Sequence, residues 1–159
     1  MKVLIISDTH GKHENLKTAL DRERPIDLVV HLGDAEGYED TIQKLAACPL
    51  EIVSGNSDFF SALDQEKEIE IGNCHVLITH GHYYCVNTGL EDIKKEAEGR
   101  GCDIVMFGHT HRPLVDYGKK VIALNPGSLS YPRQEGKRPS YIVMSTKENG
   151  EADFKICYL

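Results

Sequence analysis

Five short apolar runs recur along the chain: KVLIIS (2–7), DLVVHL (27–32), EIVSG (51–55), HVLITH (75–80) and DIVMFG (103–108). They are rich in valine and isoleucine and run out into glycine, histidine or aspartate, which predicts strands buried on both faces. Segments with helical spacing lie between several of them. Residues 13–24 place Leu16, Ala19 and Leu20 on one face, residues 38–48 place Ile42, Leu45 and Ala46, and residues 89–101 carry Leu90, Ile93 and Ala97. Strand alternating with helix predicts a parallel sheet with helical crossovers. The pattern changes after Gly108. LVDYG and VIALN (114–125) read as a hairpin. SYIVMST (140–146) and ADFKICYL (152–159) read as another, turning through Glu148, Asn149 and Gly150. KEIEIG before HVLITH (67–80) suggests a third, turning at Gly72-Asn73. A βαβ half followed by antiparallel strands predicts more than one sheet.

A length of 159 residues suits one domain spanning 1–159. Eighteen basic against 25 acidic residues give a net charge of −7. That balance argues against a broad face for nucleic acid or membrane, while leaving room for one local phosphate site. The five cysteines are odd in number and form no CxxC pair, so free thiols in a reducing cytoplasm are expected. Val3 to Ile6 is too short for a signal-peptide core, and no stretch is long enough to span a membrane.

The chemistry lies at the carboxyl end of each predicted strand. SDTHG brings Asp8 and His10, GDAEG brings Asp34, and GNSD brings Asn56 and Asp58. HVLITH runs into His80 and His82, and DIVMFG into His109 and His111. Ligands of open α/β sheets bind outside the carboxyl ends of the strands, so these residues point to one rim. Asp8/His10, His80/His82 and His109/His111 are i, i+2 pairs, which in extended backbone project to the same side. Gly33, Gly55, Gly81 and Gly108 permit tight turns and close approach. A lone histidine at a strand end is usually a surface or hydrogen-bonded residue; the alignment of all five blocks at one rim is what such readings leave unexplained. Carboxylate, imidazole and amide oxygens together suit divalent first-row metals. Seven candidate ligands exceed one tetrahedral site and match two ions sharing a carboxylate, the arrangement that clamps an in-line displacement at phosphorus.

The series DTH, GD, GN-x-D, H and GHTH resembles the calcineurin-like metallophosphoesterase superfamily from Asp8 to about Ser128. Length and the NPGS stretch (125–128) are similar to its small bacterial and archaeal phosphodiesterase branch, which is related to the retromer subunit Vps29. The resemblance implies a single-domain α/β sandwich of four layers, two mixed β-sheets flanked by helices. It implies that Asp8, His10 and His111 hold a first metal, that Asn56, His80 and His109 hold a second, and that Asp34 bridges them. Two divalent ions are implied, with Mn²⁺ favoured over Fe, Ni, Co or Zn, and a hydroxide between them as nucleophile. Asn56 can also donate its amide N–H to a phosphoryl oxygen. Asp58 is expected to orient a ligand histidine. NPGS is expected near the metals.

One position departs from the family pattern. Many members carry a histidine after the GN asparagine, read there as protonating the leaving group, whereas this chain has Ser57. A serine hydroxyl is a poor acid at neutral pH, so His82 is the candidate proton donor. His31 either hydrogen-bonds within the site or packs in the core. Arg133 either reaches a phosphate or is an exposed surface arginine. The Tyr83-Tyr84 pair either stacks on a nucleobase or forms a buried edge. His13 and His75 fall outside the pattern. The expected substrate is a small phosphodiester or nucleotide-like molecule, acted on by a monomer or small homo-oligomer. A Vps29-like metal-binding scaffold without turnover is the alternative from another class, set against a ligand set that is complete here. A phosphomonoesterase or nuclease is the other, and the acidic charge counts against long nucleic acid.

Overall fold

The computed structural model describes residues 1–147 and 149–159. Its strands are β1 (Lys2–Ile6), β2 (Leu28–His31), β3 (Leu50–Ile52), β4 (Glu66–Ile71), β5 (Cys74–Thr79), β6 (Ile104–Met106), β7 (Pro113–Asp116), β8 (Ile122–Pro126), β9 (Ser140–Thr146) and β10 (Ala152–Tyr158). Its helices are α1 (Glu14–Glu23), α2 (Glu39–Ala46) and α3 (Glu91–Gly99). The strands form two mixed sheets, ordered β10-β9-β1-β2-β3 and β4-β5-β6-β8-β7. β1, β2 and β3 run parallel, and β9 returns antiparallel beside β1 with Val143 opposite Leu4. In the second sheet β5, β6 and β8 run parallel, with β4 and β7 antiparallel at the edges. β7 opens on Pro113, which lacks the N–H an inner strand needs.

Side-chain alternation builds four layers. Val3, Ile5 and Val30 of the first sheet pack against Val76, Ile78, Met106 and Leu124 of the second. Leu4 and Ile6 point the other way, onto Leu16, Ala19 and Leu20 of α1 and Ile42 and Ala46 of α2. On the far side Leu77, Val105 and Ala123 meet Ile93 and Ala97 of α3. The predicted helix faces are thus the ones that are buried. All three predicted hairpins form. Of the turn predicted at Glu148, Asn149 and Gly150, Glu148 lies outside the described residues, while Gly150 N donates to Lys147 O at 3.0 Å. Among the described residues no helix is long and apolar enough to cross a membrane.

Two strands, β3 and β6, end two or more residues earlier than predicted, and this shapes the rim. β3 stops at Ile52 because Ser54 N turns away to donate to Asp64 O at 2.8 Å. β6 stops at Met106, after which Gly108 N donates to His80 O at 3.1 Å. Residues 55–58 and 108–111 are therefore loops, free to turn back over the sheet ends.

The last residue of α1 ties the helix to the first sheet. Buried Tyr141 donates its hydroxyl to Glu23 Oε1 at 2.9 Å, and Lys2 Nζ lies 2.7 Å from Glu23 Oε2. Burial pushes the Glu23 carboxyl up, but Lys2 and Tyr141 outweigh it and hold the group below 4.5. A carboxylate depressed in the folded state stabilises above its unfolded value and stops doing so as pH falls through the folded one. In urea melts, Glu23→Gln should cost about 1 kcal/mol at neutral pH and progressively less below about pH 4.

Candidate metal centre

The polar residues predicted after the strands do meet at one rim, but not through extended backbone. Asp8, His10, Asp34, His109 and His111 all have positive φ, between 45° and 67°. Left-handed backbone at a non-glycine residue is strained, and it curls each loop inward so that its side chain faces the centre. His82 opens a 3₁₀ turn (His82–Tyr84) after Gly81, so the His80/His82 pair is not extended either. The glycines have a direct steric role. A Cβ at Gly55 would collide with the Asp34 carboxylate, and one at Gly108 with the Ser7 hydroxyl.

Two half-sites share this rim. In one, Asp8 Oδ1 lies 2.9 Å from His111 Nε2 and 3.8 Å from His10 Nε2. In the other, Asn56 Oδ1 lies 3.0 Å from His80 Nε2 and 2.8 Å from His109 Nδ1. Asp34 stands between them, with Oδ2 at 3.6 Å from both His10 Nε2 and His80 Nε2. The two histidines of FGHTHRP thus face opposite halves.

Hydrogen bonds fix which ring nitrogen each histidine offers. His80 Nδ1 donates to Leu32 O at 2.6 Å, His111 Nδ1 to Tyr131 O at 2.6 Å, and His10 Nδ1 to Glu36 Oε1 at 2.7 Å. A carbonyl or carboxylate can only accept, so each of these three imidazoles donates through Nδ1 and turns Nε2 inward. The Nε2 atoms of His10 and His80 each face Asp34 Oδ2 at 3.6 Å, beyond hydrogen-bond distance. Asp8 Oδ1 and His10 Nε2 are buried with no hydrogen-bond partner. Facing acceptors at this spacing repel one another unless a cation joins them, and bonds of about 2.1 Å to a shared ion would do so. Donor chemistry and orphaned atoms both fit divalent metals.

Burial and neighbouring charges shift several groups around the centre. Burial pushes the Asp8 carboxyl up, but His111 and His80 outweigh it and hold it below the ordinary carboxylate range. Burial opposes protonation of His111, and Asp8 beside it prevails and holds it above the usual histidine value. Burial, followed by the charge of neighbouring His80, pushes His109 and His82 down.

Supporting residues differ from expectation in several places. Asp58 does not orient a histidine. Its carboxylate accepts from the backbone N–H groups of Asp34 (2.8 Å), Glu36 (2.6 Å), Gly55 (2.7 Å) and, at 3.4 Å, Ala35. It therefore shapes the loop that carries Asp34. Ser57, which looked like a missing acid, holds Asp34: its N–H donates to Oδ1 at 2.8 Å and its hydroxyl to Oδ2 at 3.2 Å. The Thr110 hydroxyl accepts from Asn125 Nδ2 at 3.0 Å, and that amide also donates to Gly108 O at 2.8 Å. NPGS lies beside the site, with the Ser128 hydroxyl donating to Asp8 O at 2.9 Å. His31 is buried and held neutral, its pKa lowered to about 4 by burial. It bonds Thr9 Oγ1 at 3.0 Å and accepts from Gly33 N at 3.2 Å, bracing the loops that carry Asp8 and Asp34.

Glu36 is the residue that sequence reasoning missed. GDAEG places it two residues after Asp34, and that spacing was the available signal. Glu36→Ala should weaken metal binding roughly ten-fold by titration calorimetry, with Glu36→Gln recovering part of the loss because its carbonyl still accepts from His10.

The outlying predictions divide. His82 packs on Tyr83 with ring centroids 4.1 Å apart and sits 6.1 Å from His109 by the same measure, with its buried Nδ1 unpartnered. Arg133 is exposed, and its backbone N–H donates to His111 O at 3.0 Å. Tyr83 is exposed, whereas Tyr84 donates to Glu66 Oε2 at 2.7 Å. His13 packs against Tyr38 and His75 pairs with Glu68, both outside the centre.

A four-layer sandwich with an Asp/His/Asn centre at the carboxyl rim defines a metallophosphoesterase. The chain belongs to the calcineurin-like phosphoesterase superfamily, whose domain model matches residues 1–149. It is 37% identical over 153 residues to the probable metallophosphoesterase YsnB of Bacillus subtilis, covering 96% of this chain and 88% of that one. A predicted phosphoesterase of Streptococcus pneumoniae superposes with a TM-score of 0.81 at 25% identity, covering 99% of this chain and 97% of its own. Vps29 of Entamoeba histolytica, in a D62A variant, superposes at 0.79 with 24% identity, covering 100% and 99%, and shows the shared fold.

Proposed function

We propose that this protein is a phosphodiesterase with two divalent metals, of which Mn²⁺ is the favoured pair and Fe, Ni, Co or Zn the alternatives. Asp8, His10 and His111 would hold one ion, Asn56, His80 and His109 the other, with Asp34 between them. When bound, such ions supply Lewis acidity at phosphorus and lower the pKa of a water. The single observation that carries this reading is the pair of half-sites meeting at Asp34, with buried Asp8 Oδ1 and His10 Nε2 left without a hydrogen-bond partner.

The chain's own groups supply the rest. Asn56 can turn its amide N–H to a phosphoryl oxygen. Arg133, on the His111 side, can pair with a phosphate oxygen. Room on both sides of the centre favours a diester over a monoester. One recess of about 420 Å³ opens from Asn56 and His82, and another of about 540 Å³ from His10 and His111. A small or nucleotide-like phosphodiester fits these recesses, and the charge of −7 disfavours long nucleic acid. In this reading the protonated form of His82, disfavoured by burial and by His80, donates the proton to the leaving group. His82→Ala should then lose at least roughly ten-fold more on an alkyl than on an aryl phosphodiester, because a phenolate leaves without help. Equal losses on both would remove His82 from that role.

The test is metal content together with hydrolysis of bis(p-nitrophenyl) phosphate and p-nitrophenyl phosphate in added Mn²⁺. Two ions per chain and a preference for the diester are expected. Fewer than two, with no turnover above an Asp34→Asn control, would leave the fold with a scaffold role like that of Vps29.

A further inference from the structure

We propose that the recess walled by Phe59 and Tyr83 receives a planar, nucleobase-like ring carried by the substrate's phosphate. The proposal rests on the phosphodiesterase reading of the neighbouring centre and names the substrate class.

Phe59 and Tyr83 are 82% and 65% exposed, directly beside candidate ligands. Rings left this bare at the mouth of a polar site still present aromatic surface to solvent. The recess of about 420 Å³ that they flank is also lined by Asn56, His82, Ser61 and Gln65. Asn56 belongs to both the recess and the candidate metal centre, and His82 lines the recess beside it. A substituent on a phosphorus held at Asn56 therefore enters the recess directly. Its size suits a flat ring rather than a long chain.

The wall is prearranged for stacking. Tyr83 packs on the His82 ring, centroids 4.1 Å apart and planes tilted by 39°, which braces the tyrosine from behind. The Tyr83 hydroxyl accepts from Gln65 Nε2 at 3.3 Å, which limits swinging of the ring. The Gln65 amide and the Ser61 hydroxyl offer hydrogen bonds to the edge of a heterocycle. A sugar or alkyl group would leave the aromatic faces wet; a planar ring covers them. The charge on the two sides also differs. Asp58 borders this recess, whereas Arg133 and Lys137 line the one on the His111 side, where Lys12 also lies over Tyr131. The substrate is thus oriented with its ring toward Tyr83 and its remaining anionic part toward Arg133.

The test compares adenosine 5′-monophosphate with ribose 5-phosphate, which differ only by the base, in calorimetric titrations of the Mn²⁺-loaded protein. The nucleotide should bind at least roughly ten-fold tighter. Phe59→Ala and Tyr83→Ala should each bring the ratio close to one. Phe59→Tyr and Tyr83→Phe should keep it, as should Tyr117→Ala, an exposed tyrosine outside both recesses. Equal affinities in the wild type, or a ratio that survives both alanine variants, overturns the proposal. Hydrolysis of bis(p-nitrophenyl) phosphate by the same preparation separates the two readings. Turnover without a base preference overturns the ring site alone, and a base preference without turnover supports the ring site while overturning the hydrolase.

Discussion

Asp34→Asn should lower hydrolysis of bis(p-nitrophenyl) phosphate on the order of a thousand-fold. The substitution is nearly isosteric, so the loss would come from charge. An asparagine oxygen can still accept from Ser57 N, which now donates to Asp34 Oδ1 at 2.8 Å. The other position becomes an N–H₂ group, aimed where Asp34 Oδ2 now faces His10 Nε2 and His80 Nε2, each at 3.6 Å. A donor in that place repels a cation instead of attracting it. Metal content should fall with activity, while the melting temperature of the chelator-treated protein stays close to that of the wild type. Activity within about ten-fold of the wild type would show that Asp34 does not stand between two ions.

Asp58→Ala should destabilise the metal-free protein by about 3–5 kcal/mol in a denaturant titration. Its carboxylate is buried and gathers N–H groups from two loops, those of Asp34, Ala35 and Glu36 and that of Gly55. Removing it strands several donors at once, and each buried unpaired donor costs about 1–3 kcal/mol. Asp58→Asn, which keeps one accepting oxygen, should lose about half as much. Metal affinity should drop in both variants, since the Asp34 loop loses its anchor. A loss below about 1 kcal/mol in the alanine variant would mean that water replaces the carboxylate freely.

Much of the architecture was legible in the sequence because it is local. Helical spacing named the buried faces of all three helices, and four of the five apolar runs became inner strands, with β3 at a sheet edge. Pairing was harder to read. The hairpin of β9 and β10 joins the first sheet beside β1, a contact between residues about 140 apart that no local period encodes. The polar rim was legible from the residues that succeed the strands, but its geometry was not. Extended pairs were expected where the backbone is left-handed, because aspartate and histidine tolerate either form and only the loop's closure decides. Ser57 read as a deficit because comparison stopped at a missing imidazole. Its hydrogen bonds to Asp34 depend on a contact across 23 positions. Asp58 was misread for the same reason: a carboxylate's partners are set by loop shape, and its spacing from a histidine carries no information about backbone donors.

The parentage of the candidate ligands has a mechanical consequence. Asp8, Asp34 and Asn56 come after strands of the first sheet, whereas His80, His109 and His111 come after strands of the second. Ions held between them would act as rivets through the sandwich, and the apolar interlayer sets the gap they must span. Val30 and Met106 belong to that interlayer, one from each sheet. A lost or added methylene there lets one sheet slide on the other, and a slip of a few tenths of an ångström is carried undiminished to the rim. The packing of the core is therefore the ruler by which the two halves of the centre are spaced.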